Sequence, residues 1–285
     1  MVATPIGNLA DLSLRAIHVL GLVHAVACED TRVAALLLRH LGLQAPLLAL
    51  HAHNEHEAAT AVLARLASGE SVAYVSDAGT PAVSDPGATL VARAAAAGYT
   101  VVPVPGASSV LAALSVAGDI GSRSDGKSGG SGFHFVGFLP AKGGERQTAL
   151  AAVLASPATQ VLFEAPHRIL ALAAELAAAA PARPVTLCRE LTKQFETVVT
   201  QAARALPGWL AEDDNRLRGE FVLVLHAQPA VATSGLPAAT LHTLKVLLSE
   251  LPLKQAVALA AEITGAPRNA LYERALAERN DGTGG

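Results

Sequence analysis

A chain of 285 residues with 51% hydrophobic and 16% charged residues is long enough for two domains and lies far from the composition of disordered proteins. Its net charge of −3 weakens a nucleic-acid hypothesis but leaves local basic patches open. Its two cysteines, Cys28 and Cys188, each fall in an apolar run, so we expect buried reduced thiols and a cytoplasmic protein with no signal peptide and no membrane span.

The first half of the chain alternates short β-rich runs with longer amphipathic patterns. This alternation predicts β-α units and a mostly parallel sheet. Asp85, which precedes a proline and a glycine, is predicted to cap the fourth helix. The predicted strands are 24–28, 47–51, 71–76 and 100–104, and the predicted helices are 13–20, 31–41, 55–67, 87–97 and 108–117.

A Gly/Ser-rich segment at 121–132 follows, with nine Gly or Ser in twelve positions, and predicts a flexible linker. Residues 121–128 also match the phosphate-loop pattern G-x-x-x-x-G-K-S. A phosphate loop requires a strand before it and a helix that begins at its Lys-Ser. Here a helical pattern precedes the match and more Gly and Ser follow it, so we interpret it as linker.

The second half predicts another α/β series and then a helical tail. The predicted strands are 133–138, 160–164, 185–189, 195–200 and 220–226, with helices at 145–154 and 169–179 and, in the tail, at 241–250, 253–264 and 268–278. We therefore predict an N-terminal α/β domain at 1–120, a C-terminal α/β domain with a mixed sheet at 133–228, and a helical tail at 236–285. Ligands of such folds bind beyond the carboxyl ends of the strands.

Polar loops lie at several of these strand ends. Asp77 can accept hydrogen bonds from a ligand amine or hydroxyl, and Gly79 allows a ligand to approach the backbone closely. A plain turn is the alternative for this loop. Gly106, Ser108 and Ser109 present N–H and hydroxyl groups at a helix start, where helix capping alone is the alternative.

Two further motifs carry polar side chains after strands. In CEDTR, Asp30 could cap the next helix, which leaves Glu29 and Arg32 for function. In HAHNEH, at 51–56, three histidines have the spacing of a partial metal site, but no other Cys or His group with ligand spacing accompanies them. We therefore expect no metal, and we expect Asn54-Glu55 to contact substrate or to cap a helix.

Taken in order, the motifs resemble those of one family. VATPIGNLADLSLRA, EDTR, HNE, SDAGTPAVSDPG, PGASS, GFLP, EAPHR, RELTKQFE and GE are similar to the ribosomal RNA small subunit methyltransferase I family, of the tetrapyrrole-methylase class. The resemblance covers residues 2–226, and KQAVALAAEITGAPRNALYERAL extends it to 276. It implies S-adenosylmethionine in a cleft between two α/β domains, a homodimer, and 2′-O-methylation of a cytidine in the decoding region of 16S rRNA within the 30S subunit.

The resemblance also implies a set of cofactor contacts: Asp77, Ala78, Gly79, Thr80, Pro81, Gly106, Ser108 and Ser109, with Phe163, Glu164, Gly219 and Glu220 from the second domain. A ribose hydroxyl must lose its proton, which calls for a base such as a desolvated lysine with a lowered pKa or a carboxylate. The candidates are Lys193, Glu190 and Glu29.

RNA contacts are expected from basic and polar residues on the motif loops: Arg32, Asn54, Lys142, Arg146, Arg168 and Arg189. Two alternatives remain open. A small-molecule methyltransferase acting on a tetrapyrrole would share the fold and the cofactor, but the arginine-bearing motifs EDTR and EAPHR argue against it. A non-enzymatic RNA-binding module would not need the loops of Asp77 and Ser108.

Overall fold

A computed structural model of the chain describes residues 1–118, 132–228 and 238–281. These residues fall into two compact units, Met1–Ala227 and Gln228–Gly285. The predicted fold class is confirmed: a parallel sheet and a mixed sheet lie within the first unit, and helices form the second. The boundaries 1–120 and 133–228 stay a prediction. The phosphate-loop match and the predicted linker, except for Gly132, lie outside the described residues.

The first sheet is parallel with the order β2-β1-β3. All four residues of β1 are buried, as is typical of a strand covered on both faces. The strands are β1 (Ala25–Cys28), β2 (Leu47–Ala49) and β3 (Val72–Val75), and the helices are α1 (Leu14–Leu22), α2 (Thr31–His40), α3 (Glu55–Ala67), α4 (Ala88–Ala96) and α5 (Ser109–Ala117), with a 3₁₀ helix at Leu9–Asp11.

The first residues of the chain extend this sheet beyond β3. Val2 donates its backbone N–H to Tyr74 O at 2.9 Å and bridges Val104 in parallel. The strand predicted at 100–104 is reduced to this single bridge, and the prediction of a full strand is wrong. Pro103 lacks an N–H and therefore interrupts a ladder at this point.

The second sheet has the order β4-β5-β8-β6-β7, with β4 and β5 parallel and the other pairs antiparallel. Three helices cover one face, and α5 and Ile6 of the first half pack on the other. The strands are β4 (Phe133–Phe138), β5 (Thr159–Glu164), β6 (Pro184–Arg189), β7 (Thr197–Ala202) and β8 (Phe221–Leu225), and the helices are α6 (Gly143–Ala155), α7 (Ile169–Ala179) and α8 (Leu206–Ala211), with 3₁₀ helices at Ala203–Ala205 and Asp214–Leu217.

The second unit consists of α9 (Ala238–Glu250), α10 (Leu253–Thr264) and α11 (Arg268–Asp281). Its core contains Leu244 of α9, Val257 and Ala260 of α10, and Leu271 and Ala275 of α11. None of the helices in the described parts of the chain is long and apolar enough to cross a membrane.

The helix caps test two local predictions. Asp30 caps α2 as predicted, because its side chain accepts from the N–H of Arg32. The predicted cap at Asp85 is wrong: Gly87 is the N-cap of α4, and Glu55 Oε1 accepts from the N–H of Gly87 at 2.9 Å and of Thr89 at 3.0 Å. This confirms the capping alternative for Glu55.

Candidate active site

Three loops at the carboxyl ends of the first sheet are tied together by hydrogen bonds. Thr4 and Gly79 exchange two backbone hydrogen bonds, at 2.9 and 3.1 Å, and Thr80 Oγ1 donates to Ala107 O at 3.0 Å. Gly79 has a φ of +80°, and a Cβ there would lie 3.2 Å from Ile6 Cγ2. The close approach of the loops therefore depends on a glycine at position 79.

A cavity of about 380 Å³ opens beside these loops, within the roughly 300–1,000 Å³ usual for ligand sites. Both halves of the first unit line it: Asp77 and Ala78 from the first, Lys193 and Glu220 from the second. Three of the predicted cofactor residues thus come together with a predicted catalytic one. Helix α2 supplies an apolar wall of Val33, Ala34, Leu36 and Leu37.

The carboxylates after β1 and β3 are linked through backbone groups. Asp77 Oδ1 accepts from the N–H of Asp30 at 3.0 Å, and the N–H of Asp77 donates to the carboxylate of Glu29. Burial raises the pKa of Glu29, and the charges of Asp77 and Asp85 raise it further. Glu29 is therefore a stronger base than an ordinary glutamate.

Lys193 Nζ lies 2.9 Å from Glu190 Oε1 and 3.1 Å from Glu220 Oε2. Burial acts to lower the pKa of Lys193, but the two carboxylates outweigh burial and the pKa is raised. The expected lowered pKa is wrong, and Lys193 is an ammonium at neutral pH. Its stem rests against Gly7, where a Cβ would lie 2.4 Å from Lys193 Cγ.

The loop that presents Lys193 has an uncommon backbone. Glu190 has a φ of +53° and Thr192 a φ of +67°, a region that residues other than glycine rarely adopt. Glu190 Oε1 also accepts from the N–H of Glu220 at 2.9 Å, and a Cβ at Gly219 would lie 2.6 Å from Glu190 Cγ. Burial acts to raise the pKa of Glu190, but Lys193 and the Glu220 N–H lower it overall, which makes Glu190 a weak base.

Glu164, a predicted cofactor contact, has a completely buried side chain. Its Oε2 lies 3.5 Å from Arg146 Nη2 and its Oε1 lies 2.9 Å from Arg168 Nε, although this N–H is not aimed for a hydrogen bond. Side chains alternate along β5, so Glu164 points away from the face that carries Phe163. A contact of residue Glu164 with the cofactor stays a prediction.

Arg146 and Arg168, both predicted to bind RNA, face inward. Arg146 is buried, pairs with Glu175 at 2.9 Å and donates to Pro140 O at 3.1 Å, while Arg168 donates to Leu139 O at 2.7 Å. The RNA contacts of both residues stay a prediction. In this structure their guanidinium groups contact protein oxygens and hold the 138–142 segment.

Arg189 and Asn54, also predicted to bind RNA, are likewise engaged within the protein. Arg189 is buried and donates to Arg218 O at 2.6 Å and to Phe195 O at 3.0 Å. Asn54 accepts from the N–H of His51 at 2.8 Å and donates to Ala49 O at 3.0 Å. The RNA contacts of these two residues also stay a prediction.

Arg32 and Lys142 are the two predicted RNA contacts that the structure leaves exposed. The Arg32 side chain is 87% exposed and pairs with Asp30, and the Arg32 guanidinium holds the pKa of Asp30 down to about 2. Lys142 stands at the N-cap of α6. Both cations face solvent.

The remaining predicted cofactor residues support the loops. Ser108 caps α5 by accepting from the N–H of Leu111 at 3.5 Å, and a Cβ at Gly106 would lie 3.0 Å from Ala3 Cβ. Neither these residues nor Ser109 and Pro81 line the 380 Å³ cavity. The geometry favours the capping alternative for Ser108.

Thr4 and Gly7 belong to the site although the sequence predictions did not select them. Both line the cavity, and Gly7 contacts Lys193 across it. The signal was a Gly/Pro-rich loop at a strand end, TPIGN, whose individual residues carry no charge. Among the described residues, no group of three His, Cys, Asp or Glu side chains is arranged to hold a metal ion.

Two protein-family models match the chain. The family model for Tetrapyrrole (Corrin/Porphyrin) Methylases matches residues 1–207, and the model for the RsmI C-terminal HTH domain matches residues 234–279. The chain is 48% identical over 278 residues to ribosomal RNA small subunit methyltransferase I of Pseudomonas aeruginosa, covering 97% of this chain and 95% of that protein.

The Escherichia coli O157:H7 protein of the same name is 46% identical over 280 residues, covering 98% of this chain and 94% of its own length. Among solved structures, uroporphyrin-III C-methyl transferase from Thermus thermophilus, complexed with S-adenyl homocysteine, superposes with a TM-score of 0.53 at 21% identity. That match covers 79% of this chain and 95% of the other, and indicates a common fold.

Proposed function

The chain belongs to the ribosomal RNA small subunit methyltransferase I family, and from this premise we propose that it methylates the 2′-hydroxyl of a cytidine in the decoding region of 16S rRNA. S-adenosylmethionine is the proposed methyl donor, and the assembled 30S subunit is the proposed substrate. We propose that the protein acts as a homodimer in the cytoplasm. The observation that carries the proposal is the cavity of about 380 Å³ that Asp77 lines together with Lys193 and Glu220 from the other half.

The residues around the cavity suit the proposed cofactor. Asp77 is exposed and offers a carboxylate to an amine or hydroxyl, and Ala78 offers backbone groups. Gly79 allows the loops behind them to approach each other closely. Helix α2 provides apolar surface for a flat ring. When bound, S-adenosylmethionine supplies a methyl group on a sulfonium, a good leaving group.

The three candidate bases differ in protonation, and this supports Glu29. Lys193 is already protonated, and Glu190 is a weakened base held by Lys193 and the Glu220 N–H. The raised pKa of Glu29 makes it more basic than usual, and Glu29 directly follows Cys28, which lines the cavity. We infer that, with the cofactor bound, the Glu29 carboxylate would accept the proton of the ribose hydroxyl, while the Lys193 ammonium would stabilise the negative charge that develops on the ribose oxygen.

The proposed reaction is tested by its product. Purified protein is incubated with labelled S-adenosylmethionine and undermethylated small subunits, and the rRNA is digested to nucleosides. We expect the label in 2′-O-methylcytidine. Label in a base methyl group would refute the 2′-O assignment, and transfer to a tetrapyrrole instead of rRNA would favour the small-molecule alternative.

The base assignment is tested by single-turnover rates across pH. Glu29→Gln should lower the rate by roughly 10²- to 10⁴-fold and remove the acidic limb of the profile, because a positioned base contributes about that much. Glu190→Gln should lower the rate without removing that limb. An unchanged acidic limb in Glu29→Gln would exclude Glu29 as the base.

Lys193→Ala separates charge stabilisation from RNA positioning. If Lys193 stabilises the developing oxyanion, the variant should stay slow at saturating RNA. A rate that returns to the wild-type value at high substrate concentration would restrict Lys193 to positioning.

A further inference from the structure

A β-bulge in β4 changes the face on which Phe138 lies. Phe135 is opposite Val161, and Gly137 is opposite Leu162, so one extra residue, Val136, is accommodated between them. Gly137 has a φ of +72°, which glycine tolerates best. Without the extra residue, alternation would direct Phe138 toward the helices that cover the other face of the sheet; with it, Phe138 lies opposite Phe163 on the cleft face.

Phe138 is the outermost of three rings in contact. Phe135 and Phe163 lie 5.0 Å apart in an edge-to-face arrangement and pack against α5 and Ile6 in the core shared by the two halves. Phe138 continues this arrangement at 5.5 Å from Phe163, yet it is 58% exposed. An aromatic ring is thus supported on one side and open to solvent on the other.

Two arginine side chains hold the backbone that directly follows this ring. The next two carbonyls, of Leu139 and Pro140, accept from Arg168 at 2.7 Å and from Arg146 at 3.1 Å. Both arginines are themselves anchored by the buried Glu164. These contacts hold the backbone after Phe138 in place, which reduces the entropy lost when a ligand binds there.

The segment also lies beside the loops of the candidate site. A Cβ at Gly137 would be 3.7 Å from the hydroxyl of Ser84, which belongs to the same 76–87 loop as Asp77. Lys142, four residues after Phe138, is exposed. An open aromatic ring and an exposed cation thus lie four residues apart, in a segment that begins beside the 76–87 loop.

We propose that Phe138 stacks on an unpaired base of the rRNA substrate and that Lys142 contacts a neighbouring phosphate. The inference rests on the proposed function and adds which surface receives the RNA. RNA is recognised largely through unstacked bases that lie on aromatic side chains. Stacking of this kind contributes about 1–3 kcal/mol per base, or roughly ten- to hundredfold in affinity.

The test compares Phe138→Ala with a matched control, Phe133→Ala. Phe133 begins the same strand, is 44% exposed and lies at the end away from the bulge. We expect Phe138→Ala to weaken binding of small subunits roughly ten- to hundredfold, Phe138→Trp to restore it, and Phe133→Ala to bind like wild type. Lys142→Ala should flatten the log–log salt dependence of binding by somewhat less than one unit.

Other measurements decide what a loss of binding means. Affinity for S-adenosylmethionine, melting temperature and sedimentation should be unchanged in Phe138→Ala. Equal subunit binding by the two alanine variants would overturn the inference, and a change of oligomeric state would overturn it in favour of a protein–protein contact. If wild type methylates the ribose and Phe138→Ala binds normally, only this inference fails; wild type that leaves the subunits unmethylated overturns both proposals.

Discussion

Replacing Gly7 by alanine tests whether the two halves of the cleft meet as tightly as the structure requires. The new Cβ would lie 2.4 Å from Lys193 Cγ and 3.1 Å from Thr192 Oγ1. Carbon atoms prefer about 3.5–4.0 Å, so the stem of Lys193 must move by roughly 1 Å or more. Cγ is close to the backbone, so a simple rotation of the lysine tip cannot relieve the contact.

Two effects of Gly7→Ala can be given a size. Overpacking of this kind costs about 1–3 kcal/mol of unfolding free energy. Displacing Lys193 Nζ by about 1 Å from its place between Glu190 and Glu220 should slow methyl transfer by roughly 10²-fold. Stability is measured by denaturant unfolding, and the rate by single-turnover methylation of small subunits.

A double-mutant cycle with Lys193→Ala isolates the contact. Lys193→Ala removes Cγ, so the stability cost of Gly7→Ala should largely disappear in that background. Gly208→Ala is the control, because a Cβ there meets nothing within 4 Å and its helix, α8, should gain up to about 1 kcal/mol. The predicted contact would be refuted if Gly7→Ala lost the same unfolding free energy in the Lys193→Ala background as in wild type. It would also be refuted if Gly7→Ala were as stable and as fast as wild type.

Three further predictions follow from other parts of the first unit. Asp77→Asn keeps an acceptor for the N–H of Asp30 but loses a charge, so S-adenosylmethionine binding measured by calorimetry should weaken roughly tenfold with the melting temperature unchanged; full affinity would remove Asp77 from the site. Burial raises the pKa of Cys28 to about 11 and of Cys188 to about 12, so a thiol reagent at pH 8 should label neither until the protein is unfolded. Burial acts to raise the pKa of Glu55, but the N–H groups of α4 lower it overall, so Glu55→Ala should cost about 1 kcal/mol of unfolding free energy at neutral pH. This cost should shrink as the pH falls from the unfolded-state pKa of about 4.3 through the lower folded-state value. Equal unfolding curves of the variant and the wild type at pH 7 would disprove the prediction.

Features with local causes were predictable from the sequence. Helices α3 and α7 have the predicted bounds because the spacing of apolar residues that predicts a helix lies entirely within each segment. The cap at Asp30 is equally local, since donor and acceptor are two residues apart. The cap of α4 was not predictable in this way, because Glu55 lies 32 residues before Gly87 in the chain.

The candidate site shows the same limit. The loop of Asp77 was predictable because polar residues after a parallel strand meet at one edge of the sheet. The inward direction of Arg146 was not, because its partner Glu175 is 29 residues away and the pairing exists only after α6 and α7 pack. A cation on a motif loop gives no sign of whether it faces RNA or a buried carboxylate until its partners are known.

The pairing of the first residues of the chain has a consequence for synthesis on the ribosome. Val2 bonds to Tyr74 on one side and forms a β-bridge with Val104 on the other. The ribosome must therefore make more than a hundred residues before Val2 has both of its partners. Until Val2 pairs with Tyr74, the edge of β3 presents unpaired N–H and C=O groups of the kind that pair with other chains. The loop of Thr4 and Gly7 follows Val2, and the cavity that it lines also requires Lys193 and Glu220, so a nascent chain gains no stability from a ligand before those residues have been made.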